Sequence, residues 1–210
     1  MSSDLQNPQA TVTGIAASWI VPTVAPTAVD RFSSAWIGIG GQFDQTLIQC
    51  GTEADYFGGQ AVYSAWYELL PRTSITIQSI TVLPGDQMFA SIQLSNAQIN
   101  QWIINVTDVS SRQSFQSTFT YLSSQLSAEW IVERPNVNRV LSPLANFGSE
   151  VFTNCTTIIG SVTGGISSFP ANQVVMYSST SPLSPQVQMT DVSALNAAGD
   201  AFTVNYLASG

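Results

Sequence analysis

Three polar residues stand inside runs that otherwise read as β-strand: Gln49 in Thr46-Leu47-Ile48-Gln49-Cys50-Gly51, Glu68 in Ser64-Ala65-Trp66-Tyr67-Glu68, and Glu129 in Ser127-Ala128-Glu129-Trp130-Ile131-Val132-Glu133. Side chains alternate along a strand, so Glu129, Ile131 and Glu133 share one face while Trp130 and Val132 share the other. Glu133 lies about 13 Å along the strand from Glu129, too far to be its direct partner. The chain contains no His, and all five of its basic residues are Arg (Arg31, Arg72, Arg112, Arg134, Arg139). Acid–base chemistry near neutrality or below therefore falls to Asp and Glu. Ser-His-Asp, Cys-His and zinc mechanisms have no parts here, so the expected chemistry is that of carboxylates, with no metal or organic cofactor.

Composition narrows the partners. Charged residues make up 9% of the 210-residue chain and the net charge is −8, against roughly 25% charged residues in an average globular protein. There is no basic patch to neutralise phosphates, which argues against nucleic acid. No run of 18 apolar residues is present, which argues against a membrane-spanning helix. The amino end, Met1-Ser2-Ser3-Asp4, lacks the basic start and apolar core of a signal peptide; a mature secreted domain would look the same. Acid unfolding comes mainly from protonating carboxylates that the fold holds ionised and from repulsion among the remaining cations. With 13 carboxylates and five Arg, both effects are small, so an acid-tolerant protein is expected. Cys50 and Cys155 are compatible with one disulfide or with two buried thiols.

The elements that must hold these residues are strands. Runs rich in Val, Ile, Thr and aromatics fall at residues 11–21, 34–39, 46–50, 61–69, 74–82, 87–94, 101–107, 114–120, 127–132, 151–159, 173–177, 186–190 and 201–206, and helical periodicity is nearly absent. Breaks fall at Gly40-Gly41, Gly58-Gly59, Pro84-Gly85-Asp86, Gly164-Gly165 and Gly199-Asp200. So many short strands exceed one comfortable open sheet. The expectation is a single all-β domain over residues 1–210, a β-sandwich of two antiparallel, curved sheets resembling a concanavalin or jelly-roll fold. Trp102, Ile104 and Val106 share a face, and Phe89 falls out of phase with Ile92 and Leu94, which suggests a bulge. A short helical turn is expected at Ser193-Ala194-Leu195-Asn196-Ala197, and a stiff loop from Pro182 to Pro185. Trp19 and Trp102 read as core and Trp36 and Trp66 as cleft; Asp55, Asp86 and Asp200 read as structural turn residues, and Glu133 beside Arg134 as a surface ion pair.

Five motifs occur together and in order: Ser18-Trp19-Ile20-Val21-Pro22-Thr23-Val24, Ala35-Trp36-Ile37-Gly38-Ile39, Leu47-Ile48-Gln49-Cys50-Gly51, Tyr63-Ser64-Ala65-Trp66-Tyr67-Glu68 with Pro71, and Ala128-Glu129-Trp130-Ile131-Val132-Glu133. In this the sequence resembles the glutamic peptidases, or eqolisins, acid endopeptidases built on a β-sandwich. The resemblance implies that Glu129 and Gln49 form the catalytic pair. Glu129 would be the general base that takes a proton from the attacking water and returns it to the leaving amine; Gln49 would orient that water and donate its amide hydrogens to the oxyanion. It also implies that Trp36, Glu53, Trp66, Glu68 and Glu133 line or support the site. Gly40, Ser64 and Leu69-Leu70 depart from the family pattern, as does the missing Trp before Trp19. A glutamate with an ordinary pKa of about 4.3 is partly ionised in mild acid and so serves as base and then acid, which places activity between about pH 2 and 5.

The implied protein is a secreted, monomeric endopeptidase acting on polypeptides in an acidic environment. Two other readings stay open on the residues alone. A β-sandwich glycoside hydrolase could use Glu68 and Glu129 as its two carboxylates, and a non-catalytic binding module would share the low charge and polar surface.

Overall fold

A computed structural model describes residues 11–137, 140–179 and 186–210. Its strands in chain order are β1 (Val12–Ile20), β2 (Ser34–Gly40), β3 (Leu47–Phe57), β4 (Gln60–Leu69), β5 (Ile75–Thr76), β6 (Gln87–Asn96), β7 (Gln101–Asp108), β8 (Gln113–Thr120), β9 (Ala128–Glu133), β10 (Asn136–Val137), β11 (Val140–Leu141), β12 (Ser149–Ile159), β13 (Val162–Gly165), β14 (Thr190–Val192) and β15 (Phe202–Tyr206). An eight-stranded sheet runs β14-β15-β12-β1-β6-β7-β8 with β13 on β12, and a five-stranded sheet runs β5-β4-β3-β2-β9. All of these pairings are antiparallel. The fold is an all-β sandwich.

The two inner faces make the core. From the larger sheet come Ile15, Ala17, Trp19, Met88, Ala90, Ile92, Trp102, Ile104, Val106 and Phe152; from the smaller come Ala35, Ile37, Ile39, Ile48, Cys50, Ala65 and Leu69. Fully burying one large apolar side chain contributes about 1.5–3 kcal/mol, so these alternating positions dictate which way each strand faces. Indole groups then tie the sheets together: Trp19 Nε1 donates to Thr52 Oγ1 at 2.9 Å, and Trp130 Nε1 donates to the Ala16 carbonyl at 3.1 Å. Because Trp130, Val132 and Ala128 pack inward against this core, Glu129, Ile131 and Glu133 must face outward. The strand that carries them is an edge strand of the smaller sheet, paired only to β2.

Several expectations are corrected. Residues 74–82 form only the two-residue strand β5, and the rest is irregular. Residues 173–177 and 186–190 contribute an isolated Tyr177–Gln188 bridge and the first residue of β14 rather than two strands. Phe89 sits on the outer face of a regular β6–β1 pairing; the irregularity in β6 lies between Leu94 and Asn96, and β1 carries its own two against β12. Gly164 and Gly165 do not break a strand but pair with Thr157 and Thr156. The break there is Gly160, at φ +61°. Residues 193–197 form no helix: the Asn196 side chain instead accepts from the Asp200 and Ala201 amides. The sequence pattern does not predict the short antiparallel β10–β11 pair, and the expected stiff loop from Pro182 to Pro185 lies outside the described residues. Cys50 and Cys155 are both free and buried, and burial pushes both thiols up.

Candidate active site

Strand register builds the site. On the outer face of the smaller sheet, Gly38 is paired with Glu129 on one side and with Gln49 on the other, and Gln49 in turn faces Glu68. One row across four strands is therefore Glu129–Gly38–Gln49–Glu68. The next row is Ile131–Trp36–Gly51–Trp66, and the third is Glu133–Ser34–Glu53–Ser64. All seven residues expected at the site lie in these rows. Glu129 and Gln49 point to the same side from strands two apart, a backbone separation of about 10 Å, with only a glycine between them.

The side chains of Trp36 and Leu47 close over that glycine. A Cβ on Gly38 would meet Trp36 Cζ3 at 2.8 Å and Leu47 Cδ1 at 2.9 Å, and one on Gly51 would meet the Ala35 carbonyl oxygen at 2.2 Å. The two glycines let Trp36 and Trp66, each 5% exposed, lie against the sheet beside Leu47, Leu70 and Ile131. Next to this apolar group, a cleft of about 440 Å³ is lined by Gly41, Gln42, Asp44, Gln45, Leu47, Leu70, Pro71 and Glu129. The turn forming one wall is held by Asp44 Oδ1, which accepts from the Thr46 amide at 2.7 Å and hydroxyl at 2.8 Å. Tyr121 joins that wall to the other: its hydroxyl accepts from the Leu47 amide at 2.8 Å and donates to the Leu70 carbonyl at 2.9 Å.

Hydrogen bonds orient the polar groups. Gln49 Nε2 donates to Glu68 Oε2 at 2.5 Å, and its Oε1 is buried without a hydrogen-bond partner. The carboxamide is thus fixed with one acceptor and one further N–H to offer. Ser127 Oγ donates to Glu129 Oε1 at 2.9 Å, Ser64 Oγ donates to Glu53 Oε2 at 3.0 Å, and Trp66 Nε1 donates to Ser34 Oγ at 3.1 Å.

Burial pushes Glu129 up to about 7, against the pull of the Ser127 hydroxyl and the Gln42 amide, both of which favour the ionised form. Glu133 also rises to about 7, first by burial and then through the negative charges of Glu68, Glu129 and Glu53, with the Trp36 indole opposing. Glu53 and Glu68 are raised by burial, with Ser64 and Gln49 respectively pulling them down. Without a basic residue in these rows, the face holds protons more tightly than free carboxyls do. This departs from the ordinary pKa assumed for Glu129 from sequence.

Two further readings change. Glu133 is no surface ion pair: it faces the acidic rows, while Arg134 donates to the Tyr177 and Ser178 carbonyls. Asp55 is not a turn residue; it lies in β3 opposite Val62, accepts from the Ser33 amide at 3.0 Å, and is raised to about 7 by burial and by Glu53. Sequence reasoning also passed over Ser127, although a hydroxyl two residues before Glu129 in an extended strand necessarily shares its face.

Trp36 and Trp66, expected in the cleft, are buried beside it and do not line it. Fold and site together define a class: a two-sheet β-sandwich whose smaller sheet presents a carboxylate, a glycine and a fixed carboxamide in one row, beside a cleft that the carboxylate helps to line. The chain belongs to the Peptidase A4 family, which it matches over residues 3–206. Among characterised relatives it is 32% identical over 149 residues to aspergillopepsin-2 of Aspergillus niger, covering 69% of this chain and 51% of that protein. It is 32% identical over 136 residues to scytalidopepsin B of Scytalidium lignicola, covering 59% of this chain and 50% of that protein. The chain thus spans about half the length of these relatives. Its fold is similar to that of aspergilloglutamic peptidase from Aspergillus niger (TM-score 0.70, 29% identity, 84% of this chain and 99% of that one). Scytalido-glutamic peptidase bound to a transition state analog inhibitor shares the fold as well (TM-score 0.76, 21% identity, 94% of each chain).

Proposed function

We propose that this protein is an endopeptidase, secreted and active in acid, that hydrolyses polypeptides by direct attack of water activated by Glu129, with Gln49 stabilising the oxyanion. The observation that carries this reading is the row Glu129–Gly38–Gln49, which sets a carboxylate and a carboxamide on one sheet face, two strands apart. A water held between the two groups would give one hydrogen to Glu129 and point the other at Gln49 Oε1. Its oxygen attacks the scissile carbonyl, and the remaining Gln49 N–H donates to the oxygen that becomes negative. Collapse of the tetrahedral species breaks the C–N bond, and the proton held by Glu129 passes to the leaving amine. Leu47, Leu70 and Pro71 of the cleft would pack on the substrate's side chains with Trp36 and Trp66 supporting Leu47 and Leu70, while Glu68 holds the carboxamide and Glu53 and Glu133 complete the acidic face.

The glycosidase reading is not favoured. Glu68 lies three strands from Glu129 with Gln49 between them, and that same Gln49 occupies one of its oxygens. A binding module would have no need of a row so specifically hydrogen-bonded.

Protein digestion followed from about pH 2 to 8, with wild type beside Glu129→Gln and Gln49→Ala, tests the proposal. Loss of a general base should lower kcat by roughly 10² to 10⁴. Retention of wild-type turnover in Glu129→Gln would sink it.

A further inference from the structure

We infer that Ser127 is a positioning residue for Glu129, a role that rests on Glu129 being the base. Two independent features fix its hydroxyl. The Ser127 carbonyl accepts from the Gly40 amide at 3.0 Å, so the residue continues the β2–β9 ladder one step past the end of β9. An extended chain then places the side chains of residues 127 and 129 on one face, and Ser127 Oγ reaches Glu129 Oε1 at 2.9 Å. That bond, with the Gln42 amide, fixes the rotation of the carboxylate where it lines the cleft.

The bond also acts on the proton. A hydroxyl donating to a carboxylate favours the ionised, basic form, and Ser127 is the strongest group doing so at Glu129. The charged groups on this face are all acidic, and none favours the ionised form. They are Glu133 on its own strand, Glu53 from β3 and Glu68 from β4 on the same face, and Asp44 from the wall of the shared cleft. No cation faces it among the described residues of these rows, so Ser127, with the Gln42 amide, is what sustains a usable base population.

The test is kcat/KM against pH for wild type, Ser127→Ala and Ser127→Thr, with Glu129→Gln as control. Ser127→Ala should lower kcat about tenfold with KM within about twofold. It should also move the acidic limb upward by about half to one pH unit, because the unsupported carboxylate is harder to ionise; Ser127→Thr should restore both. A purely structural serine would change the melting temperature and leave the limb in place, and that result overturns the inference. So does a rise in KM at unchanged kcat. If Glu129→Gln is inactive but the Ser127→Ala profile superimposes on wild type, only the Ser127 role is lost; if Glu129→Gln remains active, the base assignment fails and this inference with it.

Discussion

At the residue scale, the site is a problem of placing protons among acids. Because Glu129 and Glu133 both rise to about 7, the proposed base, Glu129, is mainly protonated in acid, and its ionised fraction falls tenfold for each pH unit below that value. The acidic limb of kcat/KM should therefore climb as Glu129 ionises. On the alkaline side, ionised Glu53, Glu68 and Glu133 would oppose the negative tetrahedral species, so activity should fall again. The expected profile is a bell with its maximum between about pH 6 and 7, higher than an unperturbed glutamate would give. A pH–rate series on one peptide substrate checks this; a maximum at pH 8 would contradict it. Gln49→Ala should lower kcat by roughly 10² to 10³ through loss of the oxyanion donor. Glu68→Ala, which only frees the carboxamide to turn, should cost about tenfold in kcat.

Among the elements, β2 matters most, although it supplies no reacting group. It lies between the strands bearing Glu129 and Gln49, and its Gly38 lets Trp36 and Leu47 pack close to the sheet between them. In Gly38→Ala the added methyl meets the tips of Trp36 and Leu47, which are able to shift, so the fold should survive while turnover falls at least tenfold. Gly51→Ala differs, because its methyl meets the backbone oxygen of Ala35 at 2.2 Å and the strand itself would have to move. A loss of about 1–3 kcal/mol is expected. Urea unfolding of both variants beside their kcat values separates the two effects; equal destabilisation would show that Gly38 is only a packing position.

For the whole molecule, raised carboxyls link stability to pH. Glu129, Glu133 and Asp55 rise to about 7 from ordinary values of 4.5, 4.5 and 3.8, and Glu150, 1% exposed with Oε1 unpartnered, rises well above its ordinary value through burial. The folded state therefore binds more protons than the unfolded chain, so stability is greatest below about pH 4 and falls as pH climbs through 7. Thermal melts from pH 3 to 8 should show that decline, and Glu150→Leu should raise the melting temperature at pH 7 more than at pH 4. A melting temperature that increases toward pH 8 would contradict both. The same logic extends the acid tolerance already legible in a chain with 13 carboxylates and five Arg. Sequence by itself determined the all-β class, since alternation and breaks report local chain geometry, and it determined that only carboxylates and amides were available for chemistry. It also singled out Gln49, Glu68 and Glu129 as candidates, because a polar residue in an apolar strand stands out without knowledge of its neighbours; the pairing of Gln49 with Glu129 came from the family resemblance. Which face each strand turns outward followed from the packing of Trp130 and Ile48. Tertiary structure alone decided the register that sets Gly38 between the pair, the isolation of Cys50 from Cys155, the demotion of residues 74–82 to a two-residue strand, and the upward shift of the site's carboxyls. Those properties depend on partners distant in the chain and on exclusion of water, and no local pattern encodes either.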